Sequence, residues 1–129
     1  MTQRIKALLG ATLIALGLVV AVPAPASASF SQCNALAVEI CGWENVNWGG
    51  VHRKFTGTRY VCYTLQGQYF DQKLSSVWNH RPLEELRLYS GNACGGNMLI
   101  INPNSGSSNL GTVGGGWNDV ARSWSIAWD

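Results

Sequence analysis

Short, largely apolar runs read with a period of two recur along the chain: Val38-Glu39-Ile40, Arg59-Tyr60-Val61-Cys62-Tyr63, Leu86-Arg87-Leu88-Tyr89 and Met98-Leu99-Ile100-Ile101. A period of two sends successive side chains to opposite faces of a strand, so each run reads as a short strand with one face buried. Turn formers bound these runs, among them Gly49-Gly50, Gly67, Gly95-Gly96, Asn102-Pro103-Asn104 and Gly114-Gly115-Gly116. Short strands punctuated in this way predict an all-β sandwich. Pro82-Leu83-Glu84-Glu85 reads either as one helical turn, with Pro first and acids facing the dipole, or as a link between two units.

A repeat underlies the pattern. Trp43-Glu44-Asn45-Val46-Asn47-Trp48-Gly49-Gly50 recurs 46 residues later as Tyr89-Ser90-Gly91-Asn92-Ala93-Cys94-Gly95-Gly96. Asp71-Gln72-Lys73-Leu74-Ser75-Ser76 begins 28 residues after Trp43, and Asn118-Asp119-Val120-Ala121-Arg122-Ser123 begins 29 after Tyr89. Two tandem copies of one supersecondary unit follow, about residues 31–81 and 82–129.

Residues 1–28 stand apart. Arg4 and Lys6 give a basic start, Leu8 to Val22 an apolar run, and Ala26-Ser27-Ala28 a small-residue cleavage site. That order is a secretory signal peptide, too short and wrongly flanked to be kept as an anchor. A secreted, extracellular domain of residues 29–129 is expected, with no membrane association after cleavage. Its 101 residues suffice for one core and not for two.

Removing the leader changes the charge. Arg53, Lys54, Arg59, Lys73, Arg81, Arg87 and Arg122 then balance Glu39, Glu44, Asp71, Glu84, Glu85, Asp119 and Asp129. A neutral domain lacks the basic footprint of a nucleic-acid binder, so no nucleic-acid partner is expected. The 13 aromatic residues, six of them Trp, are read as core rather than as a stacking platform, because a domain this small is short of apolar area.

Cys33, Cys41, Cys62 and Cys94 all lie in the exported part, and an even number there points to two disulfides, for which three connectivities are open. Zinc is not expected, since no C-x-x-C spacing occurs and His52 and His80 are the only histidines. Catalysis is not expected either. No G-x-S-x-G elbow or H-E-x-x-H helix is present, and Glu84 and Glu85, adjacent on a strand, point to opposite faces.

The form aromatic-x-x-x-x-aromatic-x-Gly resembles the Greek-key signature of the βγ-crystallin superfamily. Trp43, Trp48 and Gly50 match it fully, and Tyr89 and Gly96 match with Cys94 in place of the second aromatic. The resemblance implies two tandem Greek-key motifs forming one βγ-crystallin-like β-sandwich of roughly eight strands. On that fold the expected bridges are Cys33 with Cys41, stapling the N-terminal arm, and Cys62 with Cys94, crossing the two motifs. The six-residue segments resemble the family's calcium motif, Asn/Asp-Asn/Asp-x-x-Ser/Thr-Ser. Gln72 departs from it in the first copy, and Arg122 stands where a hydroxyl ligand belongs in the second. No cofactor is required. One weak calcium site or none is expected, drawing on Asp71, Ser75, Asn118, Asp119 and Glu44, with Kd on the order of 10⁻⁴ to 10⁻³ M.

A narrower resemblance is to secreted actinobacterial peptidase inhibitors typified by a Streptomyces metalloproteinase inhibitor. It rests on Cys41-Gly42-Trp43-Glu44-Asn45 after Cys33, on Leu74-Ser75-Ser76-Val77-Trp78-Asn79, and on Leu86-Arg87-Leu88-Tyr89 leading to Cys94-Gly95-Gly96. It implies a monomeric inhibitor of an extracellular protease that blocks the cleft with a loop; the alternative is a calcium-binding or structural module. The expected contact is the His52 to Arg59 loop through Arg53, Lys54 and Phe55, with the Asn102 to Gly116 loop as the second candidate.

Overall fold

The structure is a computed structural model that describes residues 29–129; the expected leader lies outside the described residues. Eight strands form: β1 (Ile40–Asn45), β2 (Gly49–Lys54), β3 (Tyr63–Thr64), β4 (Ser76–Asn79), β5 (Glu84–Tyr89), β6 (Met98–Ile101), β7 (Ser105–Ser107) and β8 (Ser123–Trp128). They pair antiparallel in two four-stranded sheets, ordered β2-β1-β4-β7 and β3-β8-β5-β6. The third strand of each repeat therefore leaves its own sheet: β3 pairs with β8 and β7 with β4. This is the all-β sandwich of two tandem Greek keys that the sequence leads one to expect.

Period-two alternation places Leu86 and Leu88 of β5 between the sheets, with Ile126 of β8, Ile101 of β6, and Ile40 and Val77 from the opposite sheet. Trp124, 1% exposed, is the largest fully buried side chain there. It stacks on Tyr63 at 4.5 Å and meets Phe55 edge-on at 5.1 Å. Truncating a buried ring of this size costs about 3–5 kcal/mol. Gly42 of β1 faces the same core, and any side chain there would run into Leu74 and Phe55.

A second apolar cluster lies on the outer face of the first sheet, where Cys41 and Trp43 of β1 meet Trp48 and Trp78. Cys33 bonds Cys41, and a short 3₁₀ turn, Phe30–Gln32, folds over the face. Phe30 sits 5.1 Å from Trp48 and 5.2 Å from Trp78. The arm and the staple thus cover apolar surface that a two-layer sandwich leaves outside.

Several local expectations are corrected. The first strand starts at Ile40, because Val38 is left-handed (φ 48) and closes a turn with Val38 N–H donating to Ala35 O at 3.1 Å. Only Tyr63 of the Arg59–Tyr63 run enters a strand, since Tyr60 (φ 58) turns the chain and Val61 N–H donates back to Thr58 O. Pro82 and Leu83 form a bend, not a helical turn, and Glu84 already belongs to β5. Asn102 to Gly116 is not one long loop, since it holds β7 and a 3₁₀ turn, Leu110–Thr112.

Candidate functional site

The two repeat copies fold alike. Asn47 (φ 54), Trp48 (φ 63) and Gly50 (φ 74) reappear as Ala93 (φ 51), Cys94 (φ 56) and Gly96 (φ 77), so each hairpin turns on left-handed residues at the same places. A serine from the second segment pins each hairpin. Ser76 Oγ donates to Asn45 O at 2.7 Å and accepts from Trp48 N–H, while Ser123 Oγ donates to Gly91 O at 2.7 Å and accepts from Cys94 N–H. The backbones of Ser75 and Arg122 correspond as well, bonding Trp43 O and Tyr89 O.

That pseudo-symmetry defines two equivalent places. At the first, Glu44, Ser75, Asn118 and Asp119 line one cavity of about 510 Å³ with Gln72 and Lys73. Ser75 Oγ lies 3.4 Å from Asp119 Oδ1, and Asn118 Nδ2 donates to Asp119 Oδ2 at 2.8 Å. Glu44 accepts from the Tyr69 hydroxyl at 2.8 Å, which pushes the phenol pKa up. Two carboxylates, a hydroxyl and an amide oxygen fit a hard cation, with Lys73 opposing it. Asp71 is not among the lining residues. The left-handed turn at Gln72 (φ 53) brings Gln72 and Lys73 to the cavity, while Asp71 Oδ1 is enclosed. At the second place Arg122 Nη2 donates to Gln72 Oε1 at 2.6 Å, so a guanidinium–amide pair stands where the first copy has hydroxyl and carboxylate. Cys33, Glu39 and Cys41 converge closely enough for a metal, but both sulfurs are spent in a disulfide.

The bridges are Cys33–Cys41 and Cys62–Cys94, as the resemblance implies. The expected protease contact fares differently. His52, Arg53 and Lys54 belong to β2 rather than to a loop. Arg53 donates to Gln68 at 2.6 Å and Lys54 pairs with Glu39 at 2.6 Å. Phe55 is 1% exposed and packs on Trp124, so it is core and cannot reach a partner. Its neighbours are cationic and its run is polar, which is why the sequence places it outside.

The adjacent glutamates also have structural partners. Glu85 pairs with Arg87, which raises the guanidinium pKa, and Glu84 accepts from both Arg59 and Arg81. Burial pushes the Glu84 carboxyl up, but the two arginine hydrogen bonds and their charges outweigh it and hold the carboxyl below the ordinary range. A folded-state pKa depressed in this way contributes stability that is present above the unfolded carboxylate value and lost as pH falls through the folded one. Glu84→Gln is expected to lower Tm near neutral pH and to flatten its decline toward about pH 3. Part of the acid limb persists, because Lys54 and the Asn34 N–H hold Glu39 low too. Calorimetric Tm against pH checks this; parallel wild-type and variant curves would count against it.

The model of peptidase inhibitor family I36 matches residues 26–101. No curated protein matches the chain. Among solved structures, one concerning the evolution of the eye-lens βγ-crystallin domain fold superposes with a TM-score of 0.60 at 22% identity, covering 71% of this chain and 87% of that one. A βγ-crystallin domain from Clostridium beijerinckii gives 0.55 at 18%, covering 69% and 97%. One from Flavobacterium johnsoniae gives 0.53 at 22%, covering 70% and 94%. At these identities the likeness speaks for the fold.

Proposed function

The chain belongs to peptidase inhibitor family I36, and from that we propose that it is exported and inhibits an extracellular protease by occluding the active-site cleft. The family match over residues 26–101 carries this reading. Two features support it. The fold is a rigid sandwich with two disulfides, the kind of scaffold that gains affinity by holding a contact segment in its bound shape. The adjacent pair Glu84 and Glu85 is already committed to Arg59, Arg81 and Arg87. Export rests on the leader pattern and the disulfides, and no helix among the described residues is long and apolar enough to cross a membrane. The test is to assay the purified exported protein against a panel of secreted metallo- and serine proteases. Inhibition of at least one enzyme at micromolar protein is expected, and none across the panel would remove the reading.

One observation favours a second activity beside the first: Glu44, Ser75, Asn118 and Asp119 gather at one cavity. We propose a single weak calcium site there, with Kd on the order of 10⁻⁴ to 10⁻³ M, weakened by Lys73, and none at the Arg122–Gln72 place. Ligand linkage then makes Tm rise with calcium in the millimolar range. Asp119→Asn should abolish that rise, and Arg122→Ser should increase it. Tight binding of two ions in calorimetry would contradict the assignment.

A further inference from the structure

Nine non-glycine residues of the described chain have left-handed backbone. Six are the repeat's turn positions, Asn47, Trp48 and Gln72 with their counterparts Ala93, Cys94 and Asp119, and Asn104 is of a type that tolerates this region. Val38 (φ 48) and Tyr60 (φ 58) remain. For a β-branched or bulky aromatic residue the conformation is strained, and such strain collects at binding sites.

One of the two lines a concave feature, and the other adjoins it in the chain. Val38 lines a cavity of about 350 Å³ with Arg59, Leu83, Glu84 and Trp128, and Tyr60 follows Arg59 in the chain. The Thr58 to Val61 turn, closed by Val61 N–H donating to Thr58 O, is held from several sides. Tyr60 N–H donates to Ile126 O at 2.7 Å, Thr58 N–H donates to the Tyr63 hydroxyl at 2.7 Å, and Cys62 is tied to Cys94. The Arg59 guanidinium lies 3.9 Å over the Trp128 ring and bonds Glu84. At the tip of this braced turn Tyr60 is 66% exposed, and Leu83, which lines the cavity, is 63% exposed.

We propose that the Thr58 to Val61 turn is the segment that enters the protease cleft, with Tyr60 as its anchor in an apolar specificity pocket and Leu83 and Trp128 as flanking contacts. The assignment rests on the inhibitor reading and replaces the Arg53, Lys54 and Phe55 contact. Tyr, Trp and Arg are the types that carry interface energy, and an anchor held in its bound geometry loses little freedom on docking. The charges lining this end are engaged with one another, since Arg59 and Arg81 share Glu84, and Asp129 N–H donates to Leu83 O. An apolar pocket complements the exposed Tyr60, Leu83 and Trp128 side chains.

Inhibition constants against secreted proteases that cleave beside apolar residues provide the test, using the exported protein and its Tyr60→Gly, Tyr60→Phe and Trp128→Ala variants. Glycine removes the ring and relieves the backbone, so Tm should hold or rise while inhibition weakens on the order of 30-fold or more. Tyr60→Phe should stay within about threefold, since the ring supplies the buried area. Inhibition that survives both Tyr60→Gly and Trp128→Ala would move the contact elsewhere and leave the inhibitor reading standing. Absence of inhibition by the unaltered protein would remove both. Concentration-dependent dimers that Tyr60→Gly dissolves would overturn the assignment in favour of self-association.

Discussion

Residues 29–81 and 82–129, produced as separate polypeptides, are each expected to show no cooperative thermal transition. The reason lies in the strand exchange. β3 pairs only with β8 and β7 pairs only with β4 among the described strands, so each half would carry one strand with nothing to bond and one sheet with an uncovered apolar face. The core draws on both halves, with Trp124 of the second packed against Phe55 and Tyr63 of the first. A chain of about 50 residues that forfeits half of its burial cannot offset its conformational entropy. Near-UV circular dichroism and calorimetry of the two pieces check this. A cooperative melt from either piece alone would contradict the account of the fold.

Removing the bridge between the motifs, with Cys62→Ala and Cys94→Ala together, is expected to cost about 3–4 kcal/mol. Cys62 and Cys94 are 32 residues apart, and in the chain-entropy model a loop of that length restricts the unfolded chain more than the 8-residue separation of Cys33 and Cys41, whose loss should cost about 2–3 kcal/mol. For a domain of this size the larger figure corresponds to a Tm drop on the order of 20 °C. The same double variant frees the turn that carries Tyr60, so inhibition should weaken even at temperatures where the domain stays folded. A fall in Tm of less than about 5 °C would show that the motifs are held together by packing alone.

Much of this architecture was legible because it is written twice. The positions that must be left-handed, Gly50 and Gly96, and the serines that pin the hairpins, Ser76 and Ser123, recur with the repeat. Leu86–Tyr89 alternates because one of its faces meets the core, and Met98–Ile101 stands out as an apolar run bounded by turn formers. β2 and β7 were not legible for the opposite reason: Gly49–Lys54 and Ser105–Ser107 are edge strands rich in polar and small residues with no clear apolar face, and β7 takes its pairing from β4, about 28 residues earlier. The calcium-like cavity was legible in part, since Ser75, Asn118, Asp119 and Glu44 meet there, whereas the fate of Asp71 depended on the backbone turn at Gln72. The Tyr60 turn was not legible. Its alternation reads as a strand, and nothing local in Arg59-Tyr60-Val61 announces that Glu84, 25 residues on, and Trp128 will hold Arg59 in place.

The central claim is that a rigid surface segment fills a protease cleft without chemistry, and steady-state kinetics with a small peptide substrate test it most directly. Occlusion makes the exported protein a competitive inhibitor of the most sensitive protease in the panel, raising KM and leaving kcat unchanged, and the protein should be recovered uncut. A lowered kcat at unchanged KM, or small-substrate hydrolysis that continues unimpeded while the two proteins remain in complex, would contradict it.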